Sequence, residues 1–412
     1  MPSSIILLAV SAILWLAGCT EVTPGVPFAP QELRLPATNP ATGPRITGNQ
    51  HASLVLSWMQ PRDDGTALNF ARYEDGAWTD ASNVVLVDGM FINWADLPSV
   101  IALGEGRFAA HWLQKSGAST YAYDVAARIS TDEGRSWSKI ITPHTDGTDT
   151  EHGFVSMFAY ESQLGMLWLD GRKFINEVSD DPTTSGMTLR ATRVDADLQL
   201  RNEQLVDELV CDCCQTDIAI ASDGPVAVYR DRSIDEIRDI SVSRFAAGRW
   251  RAGQTIADDQ WRIHGCPVNG PSITAAGDVV AAAWFTGADN KPTIKLAVSQ
   301  DGGRTFAEPM TVISGSVLGH VDLVQLDEDE FAVSWLQVSD GGIGELKVRK
   351  ITTAGEAGAI NTVSYGASSF SVPQMGRAGD ELVFVWTESE DFADRILSAK
   401  VPIAALNDVA TN

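Results

Sequence analysis

The sequence predicts an all-β chain folded as a β-propeller of four-stranded blades. Three observations carry the prediction: helical periodicity is almost missing, short alternating runs ending in an aromatic recur along the chain, and their spacing is nearly constant. The runs are LVLSW to Trp58, RFAAHW to Trp112, LGMLW to Trp168, PVAVY to Tyr229, VVAAAW to Trp284, FAVSW to Trp335 and LVFVW to Trp386. Successive aromatics lie 54, 56, 61, 55, 51 and 51 residues apart.

Each run reads as the second strand of a unit. An inner strand precedes it, centred on Arg45, Ser99, Ser156, Thr216, Ser272, Asp322 and Pro373 in turn. A polar loop and a third strand follow, as in VAARIS, DISVSR, IKLAVS and ELKVRK, and a fourth strand where a turn permits. A unit of ~50 residues cannot bury both of its faces alone, and radial stacking buries them. Seven blades account for the seven aromatics, with six as the alternative count. The last unit, residues 368 to 403, lacks a fourth strand, which Gln31 to Leu35 (QELRL) is placed to supply. Several sandwiches in series would need linkers, and no Pro/Gly-rich stretch interrupts the spacing.

The N-terminus reads as a targeting segment. Ile5 to Leu16 is almost wholly apolar and runs into Leu16-Ala17-Gly18-Cys19, a lipoprotein-type cleavage pattern that leaves Cys19 to carry the lipid. Met1 to Ser4 hold no Lys or Arg, unlike the usual secretory leader, but the apolar run falls short of the ~20 residues of a membrane span. Thr20 after the cysteine points to the outer membrane of the cell envelope rather than the inner. The organisation expected is a signal segment over 1–19, a Pro/Thr-rich tether over 20–42, a propeller over 43–404 and a tail over 405–412. A net charge of -24 argues against nucleic acid and against anionic lipid as electrostatic partners, leaving the N-terminal lipid as the membrane contact.

Two turns after third strands share a pattern, S-x-D-x-G-x-x-aromatic. They are Ser130-Thr131-Asp132-Glu133-Gly134-Arg135-Ser136-Trp137 and Ser299-Gln300-Asp301-Gly302-Gly303-Arg304-Thr305-Phe306. The Asp accepts backbone hydrogen bonds, the Gly takes a positive φ and the aromatic packs back into its blade. Ala71 to Trp78 and Ser243 to Trp250 keep the terminal Trp without the Asp. The pattern resembles the Asp-box, or BNR, repeat of the sialidase-like propellers, and the resemblance covers nearly all of the chain after the leader. In that family these boxes are structural and lie away from the active site, so they identify a scaffold.

The resemblance implies sialidase chemistry: three arginines on the substrate carboxylate, a Tyr nucleophile with a Glu partner, and an acid/base Asp. Arg45-Ile46-Thr47 stands where the family has Arg-Ile-Pro, Arg62 and Asp63-Asp64 follow in the next loop, and Tyr365 precedes the last inner strand. A third arginine and the Glu partner are not identifiable, and Arg45 also reads as an ordinary strand residue with a local ion pair.

In a propeller, loops leading into inner strands and loops joining second to third strands share one face. The former hold His152, Cys211-Asp212-Cys213-Cys214, His264 with Cys266 and Asn269, and His320; the latter add Asp170 and Arg172, and Arg230-Asp231-Arg232. All four cysteines after Cys19 therefore gather at one end. Disulfides suit an oxidising compartment, copper or zinc suits thiolate with the His264 imidazole, and free or redox thiols are the third reading. The Arg/Asp loops read either as a self-neutralising charge network or as a pocket for an anionic or polyhydroxylated ligand, with Arg172, Arg230 and Arg232 as donors, Asp170 and Asp231 as acceptors, and His152, His320 and Asn269 around them. The function expected is ligand binding on this face, carbohydrate or metal-assisted. The alternatives are a sialidase-type glycoside hydrolase and a protein-interaction scaffold.

Overall fold

The computed structural model describes residues 26–48, 53–175, 185–390 and 393–406. The expected leader and Cys19 lie outside these residues. The described residues form seven sheets, each running from an inner strand outward, and the chain is a seven-bladed β-propeller.

Blade 1 runs through Thr42–Thr47, Val55–Arg62, Gly65–Glu74 and Ser82–Val87. Blade 2 has Ser99–Gly104, Arg107–Lys115 and Tyr123–Ser130, with Ile141 bridging Ala127 where a fourth strand would lie. Blade 3 comprises His152–Tyr160, Gln163–Asp170, Met187–Val194 and Leu200–Val210. Blade 4 comprises Asp217–Ala221, Gly224–Arg230, Ile240–Ala246 and Gln254–Thr255. Blade 5 uses Ser272–Ala276, Val279–Thr286, Thr293–Ser299 and Met310–Ser314. Blade 6 uses Val317–Gln325, Glu330–Val338, Gly344–Thr352 and Asn361–Tyr365. Blade 7 takes Gln374–Ala378, Glu381–Glu390 and Ala393–Pro402, and its outer strand is Gln31–Glu32 from the other end of the chain. Gln31 pairs with Lys400 and Glu32 with Ala399, antiparallel, so the expected closure occurs. Inner strands of neighbouring blades touch in order around the ring, and blade 7 touches blade 1.

The core lies between blades. Seven hydrophobic clusters fill the seven interfaces, and the repeated aromatic of each second strand is buried in one of them. Removing a Trp from water hides about 200 Å², so each contributes up to ~5 kcal/mol before entropy is counted. Residues 405–412 were expected as a tail, yet Ala405 and Leu406 are buried in the interface of blades 6 and 7. Among the described residues no helix is long and apolar enough to cross a membrane.

The two S-x-D-x-G turns are superimposable in their bonding. Ser130 Oγ donates to Asp132 at 2.9 Å and accepts from Gly134 N at 2.9 Å, while Ser136 donates to both Asp132 oxygens. Ser299, Asp301, Gly303 and Thr305 repeat each bond. These donors hold Asp132 and Asp301 at about 2, well below the usual carboxylate range. One expectation needs correction. The terminal aromatics pack at the blade interfaces, Trp137 edge-on to Phe70 of blade 1 and Phe306 against the cluster shared by blades 4 and 5. The turns are therefore inter-blade fasteners.

Candidate functional site

The seven inner strands surround a central cavity of about 520 Å³. Side chains at its wall fasten together the inner strands of blades 4 to 7. Asp217 accepts from Ile273 N at 2.9 Å, Asp322 accepts from Met375 N at 2.6 Å, and the Ser272 hydroxyl lies between the two carboxylates, 3.2 Å from Asp217 and 3.0 Å from Asp322. Arg45 lines this cavity, close enough to weigh on Asp96, His111 and Asp217 electrostatically. Arg62, Asp64 and Tyr365 do not line it. Arg62 and Asp64 are exposed at the turn after the second strand of blade 1. Tyr365 ends the outermost strand of blade 6, is 69% exposed, and has the Lys347 ammonium 5.7 Å from its ring centroid. The structure thus separates Tyr365 from Arg45.

A different tyrosine has the carboxylate partner. Tyr123 opens the third strand of blade 2 and donates its hydroxyl to Glu151 Oε1 at 2.6 Å. Glu151 immediately precedes the inner strand of blade 3 and is partly exposed. Burial raises its carboxyl to about 7; the Tyr123 hydrogen bond works against the rise, and Asp212 nearby adds to it. On the inward side Asp96, in the loop leading into blade 2, is buried and accepts from Phe154 N at 2.8 Å. Burial raises it to about 7 as well, opposed first by that amide bond, reinforced by Glu151, and opposed again by Arg45 and Tyr123. Its second oxygen is buried without a hydrogen bond. Burial and both carboxylates push the Tyr123 hydroxyl far up, so it stays protonated as a donor. Two carboxyl groups poised near neutrality thus lie beside one tyrosine, which donates to Glu151.

Two aromatic side chains, Phe91 and Tyr121, stand beside Tyr123. Phe91 stacks on Tyr123 at 4.2 Å between centroids, Tyr121 meets Phe91 edge-on, and Trp94 meets both His320 and Phe370 edge-on. Tyr121 and Phe370 are exposed. His320 is buried, which lowers its pKa to about 4, and its amide donates to Asn269 Oδ1 at 2.7 Å. Asn269 also donates to Pro267 O and Leu318 O, so it ties the loop before blade 5 to blade 6.

The charged loops divide. Arg230 is buried and its guanidinium donates to three carbonyls, Asn269 O at 2.9 Å, Arg238 O at 2.6 Å and Phe285 O at 2.7 Å, above the Trp261 ring. It ties blade 4 to blade 5 and aims no donor at solvent. Asp231 receives Arg232 N and Ser241 Oγ, while Arg232 pairs with Glu236 at 2.6 Å and Asp212 at 2.9 Å. Asp170 is buried and held by Arg172 and Trp168 Nε1; Arg172 reaches on to Glu203 at 2.9 Å. His152 is buried beside Asp170.

The four cysteines pair as Cys211–Cys214 and Cys213–Cys266, with Cα separations of 5.8 and 6.0 Å. The second bond joins the loops before blades 4 and 5, the staple that was one of the sequence readings. His264 is exposed and belongs to no cluster of close ligand atoms among the described residues.

Sequence reasoning missed Asp96, Tyr123 and Glu151. Asp96 and Glu151 both sit in loops on the face that collects the histidines, so the same placement rule reaches them; Glu151 adjoins His152 in TEHGF. Their shifted protonation comes from burial, which the sequence does not display.

No protein-family model matches the chain, and no curated protein does. Solved structures resemble it in fold. A protein of unknown function from Dyadobacter fermentans DSM 18053 is similar at TM-score 0.51 and 13% identity, over 92% of this chain and 100% of that one. Polysaccharide lyase Uly1 is similar at TM-score 0.50 and 10% identity, over 90% and 91% of the two chains. A Trypanosoma rangeli sialidase gives TM-score 0.45 and 12% identity, over 89% of this chain and 60% of that one. At these identities the likeness is one of fold alone.

Proposed function

We propose that the protein acts on a glycan at the mouth bounded by blades 2, 3 and 4, with Glu151 exchanging a proton with the substrate. The observation that carries this reading is the Tyr123–Glu151–Asp96 trio. A general acid or base works best with a pKa near the working pH, and the partly exposed Glu151 has one of about 7. Tyr123 fixes its orientation, and Asp96 behind it holds a second proton. Exposed aromatic rings beside a few convergent polar groups match the way sugar faces stack and hydroxyls bond. Carboxylates crowd this mouth, so a neutral glycan suits it better than a polyanionic one. Glycan binding without turnover is the second reading, favoured by the burial of Tyr123 and Asp96; sialidase-type hydrolysis is the third, favoured by the Tyr–Glu pair alone. We further propose that the chain is exported and lipidated at Cys19, a reading supported by its two disulfides.

The test is a panel of neutral oligosaccharides, uronate polymers and a fluorogenic sialoside, scored for cleavage and for binding. Cleavage of a neutral glycan that falls about 10²–10⁴-fold in Glu151→Gln, with binding retained, is expected. Full activity in that variant, or neither binding nor cleavage across the panel, refutes the proposal.

A further inference from the structure

Beyond the glycan reading, and independent of it, we propose that Asp146, His152 and Asp170 bind a divalent transition-metal ion of zinc type. The ion would clamp the segment 142–151 onto blade 3.

His152 is buried, and its Nδ1 lies 3.2 Å from Thr150 O and 3.4 Å from Tyr123 O. Carbonyl oxygens only accept, so Nδ1 carries hydrogen and Nε2 offers its lone pair. That lone pair faces Asp146 Oδ2 at 3.3 Å and Asp170 Oδ2 at 3.7 Å. Neither His152 Nε2 nor Asp146 Oδ2 makes a hydrogen bond, although both are buried. Arg172 Nη2 stands beside both oxygens, 3.3 Å from Asp146 Oδ2 and 2.7 Å from Asp170 Oδ2, but among the described residues no cation meets the buried imidazole lone pair.

Two cations fit at that lone pair, a proton on Nε2 or a metal. A charge-assisted N–H···O⁻ bond closes to about 2.7–2.9 Å, well inside the 3.3 Å found. Tetrahedral zinc, with bonds of about 2.0–2.2 Å to nitrogen and oxygen, spaces its ligand atoms roughly 3.3–3.5 Å apart. The 3.3 Å between His152 Nε2 and Asp146 Oδ2 falls in that range, and Asp170 Oδ2, at 3.7 Å, lies slightly beyond it. Calcium and magnesium favour all-oxygen shells, whereas an imidazole with carboxylates suits zinc.

The surroundings agree. Among the described residues, Asp124, Asp146, Asp170 and Glu203 face Arg172 and Arg190 as permanent cations, so two negative charges are left for a dication to balance. His144 stacks on His152 at 3.8 Å with planes 3° apart, a contact that two imidazolium rings would resist. Its Nε2 accepts from Val125 N at 3.3 Å, which leaves an Nδ1–H directed at Asp146, 3.4 Å away. Trp168 Nε1 donates to Asp170 at 2.8 Å. Both are the outer contacts that orient metal-binding carboxylates.

Full chain, oxidised and stripped with chelator, would be titrated with Zn²⁺ and separately with Co²⁺, reading bound metal, thermal midpoint and the cobalt visible spectrum. One ion per chain, a raised midpoint and a tetrahedral cobalt spectrum without thiolate bands are expected. Binding should drop at least 100-fold in His152→Ala and in the volume-conserving Asp146→Asn, and persist in Cys213→Ser/Cys266→Ser. Wild-type protein that takes up no metal overturns the proposal, as does equal binding in Asp146→Asn. Wild-type His152 found with protons on both ring nitrogens at neutral pH, by ¹⁵N NMR, overturns it too.

Discussion

Replacing Gly134 by Ala tests whether the S-x-D-x-G turn fastens one blade to the next. Gly134 has φ +80°, and a Cβ there would lie 2.4 Å from Phe70 Cζ of the preceding blade. Gly303, its counterpart, has φ +77° and a nearest approach of 3.1 Å to Val226 Cγ1. Gly277, at φ +61° in a plain hairpin turn, would place a Cβ with nothing within 4 Å. Each alanine carries the left-handed backbone cost of roughly 1–2 kcal/mol. Gly277→Ala measures that cost alone. Gly134→Ala adds displacement of a packed aromatic ring, about 1–3 kcal/mol more, while Gly303→Ala needs only a shift of a few tenths of an ångström. With a urea m value of about 3 kcal/mol/M, the extra loss at Gly134 becomes roughly 0.3–1 M in midpoint. Equilibrium urea unfolding, followed by tryptophan fluorescence, should rank the losses Gly134→Ala, Gly303→Ala, Gly277→Ala. Equal losses at Gly134 and Gly277 would refute the fastening role.

Two further outcomes are expected. Asp96, Glu151 and Asp322 each have a folded pKa of about 7. Raised carboxyls keep their protons in the folded state while the unfolded chain has released them, so stability is full near pH 4, falls as pH rises to about 7 and then levels. The urea midpoint should be higher at pH 5 than at pH 8, with a smaller gap in Asp96→Asn; a midpoint that climbs with pH contradicts these assignments. Cys213–Cys266 closes a sequence separation of 53 residues, so Cys213→Ser/Cys266→Ser should cost about 4 kcal/mol by loop entropy. Cys211–Cys214, separated by 3 residues, should cost much less, and the reverse order would show that native packing, not chain restriction, governs both.

The fold was legible because its signal is repetitive. Trp58, Trp112, Trp168, Trp284 and Trp335 are fully buried at equivalent places, and an interface that recurs writes the same residue at the same interval. The missing outer strand of blade 7 was legible for the same reason, as a gap in a pattern. The site is written once, so no pattern reports it. Arg230 reads in sequence as a ligand donor; the carbonyls it serves, Asn269, Arg238 and Phe285, are set by how blades 4 and 5 meet. The cysteines read as a cluster, but which thiol meets which depends on loop paths. Glu151 has nothing in its neighbours to mark it, since its raised pKa follows from burial in the folded chain.

The junction between Gln31–Glu32 and Ala393–Pro402 has a consequence for the order in which the molecule is made. The strand synthesised first finds its partner only after the strand synthesised last has emerged. Until then six blades can stack while the seventh keeps an open edge, with one of its four strands early in the chain and three late. The ring therefore cannot lock piecemeal from the N-terminus; its final pairing spans nearly the whole chain and ranks among the slowest contacts to form. A nascent chain in this state presents an unpaired outer edge on Ala393–Pro402, which the first strand must reach before a neighbouring molecule does.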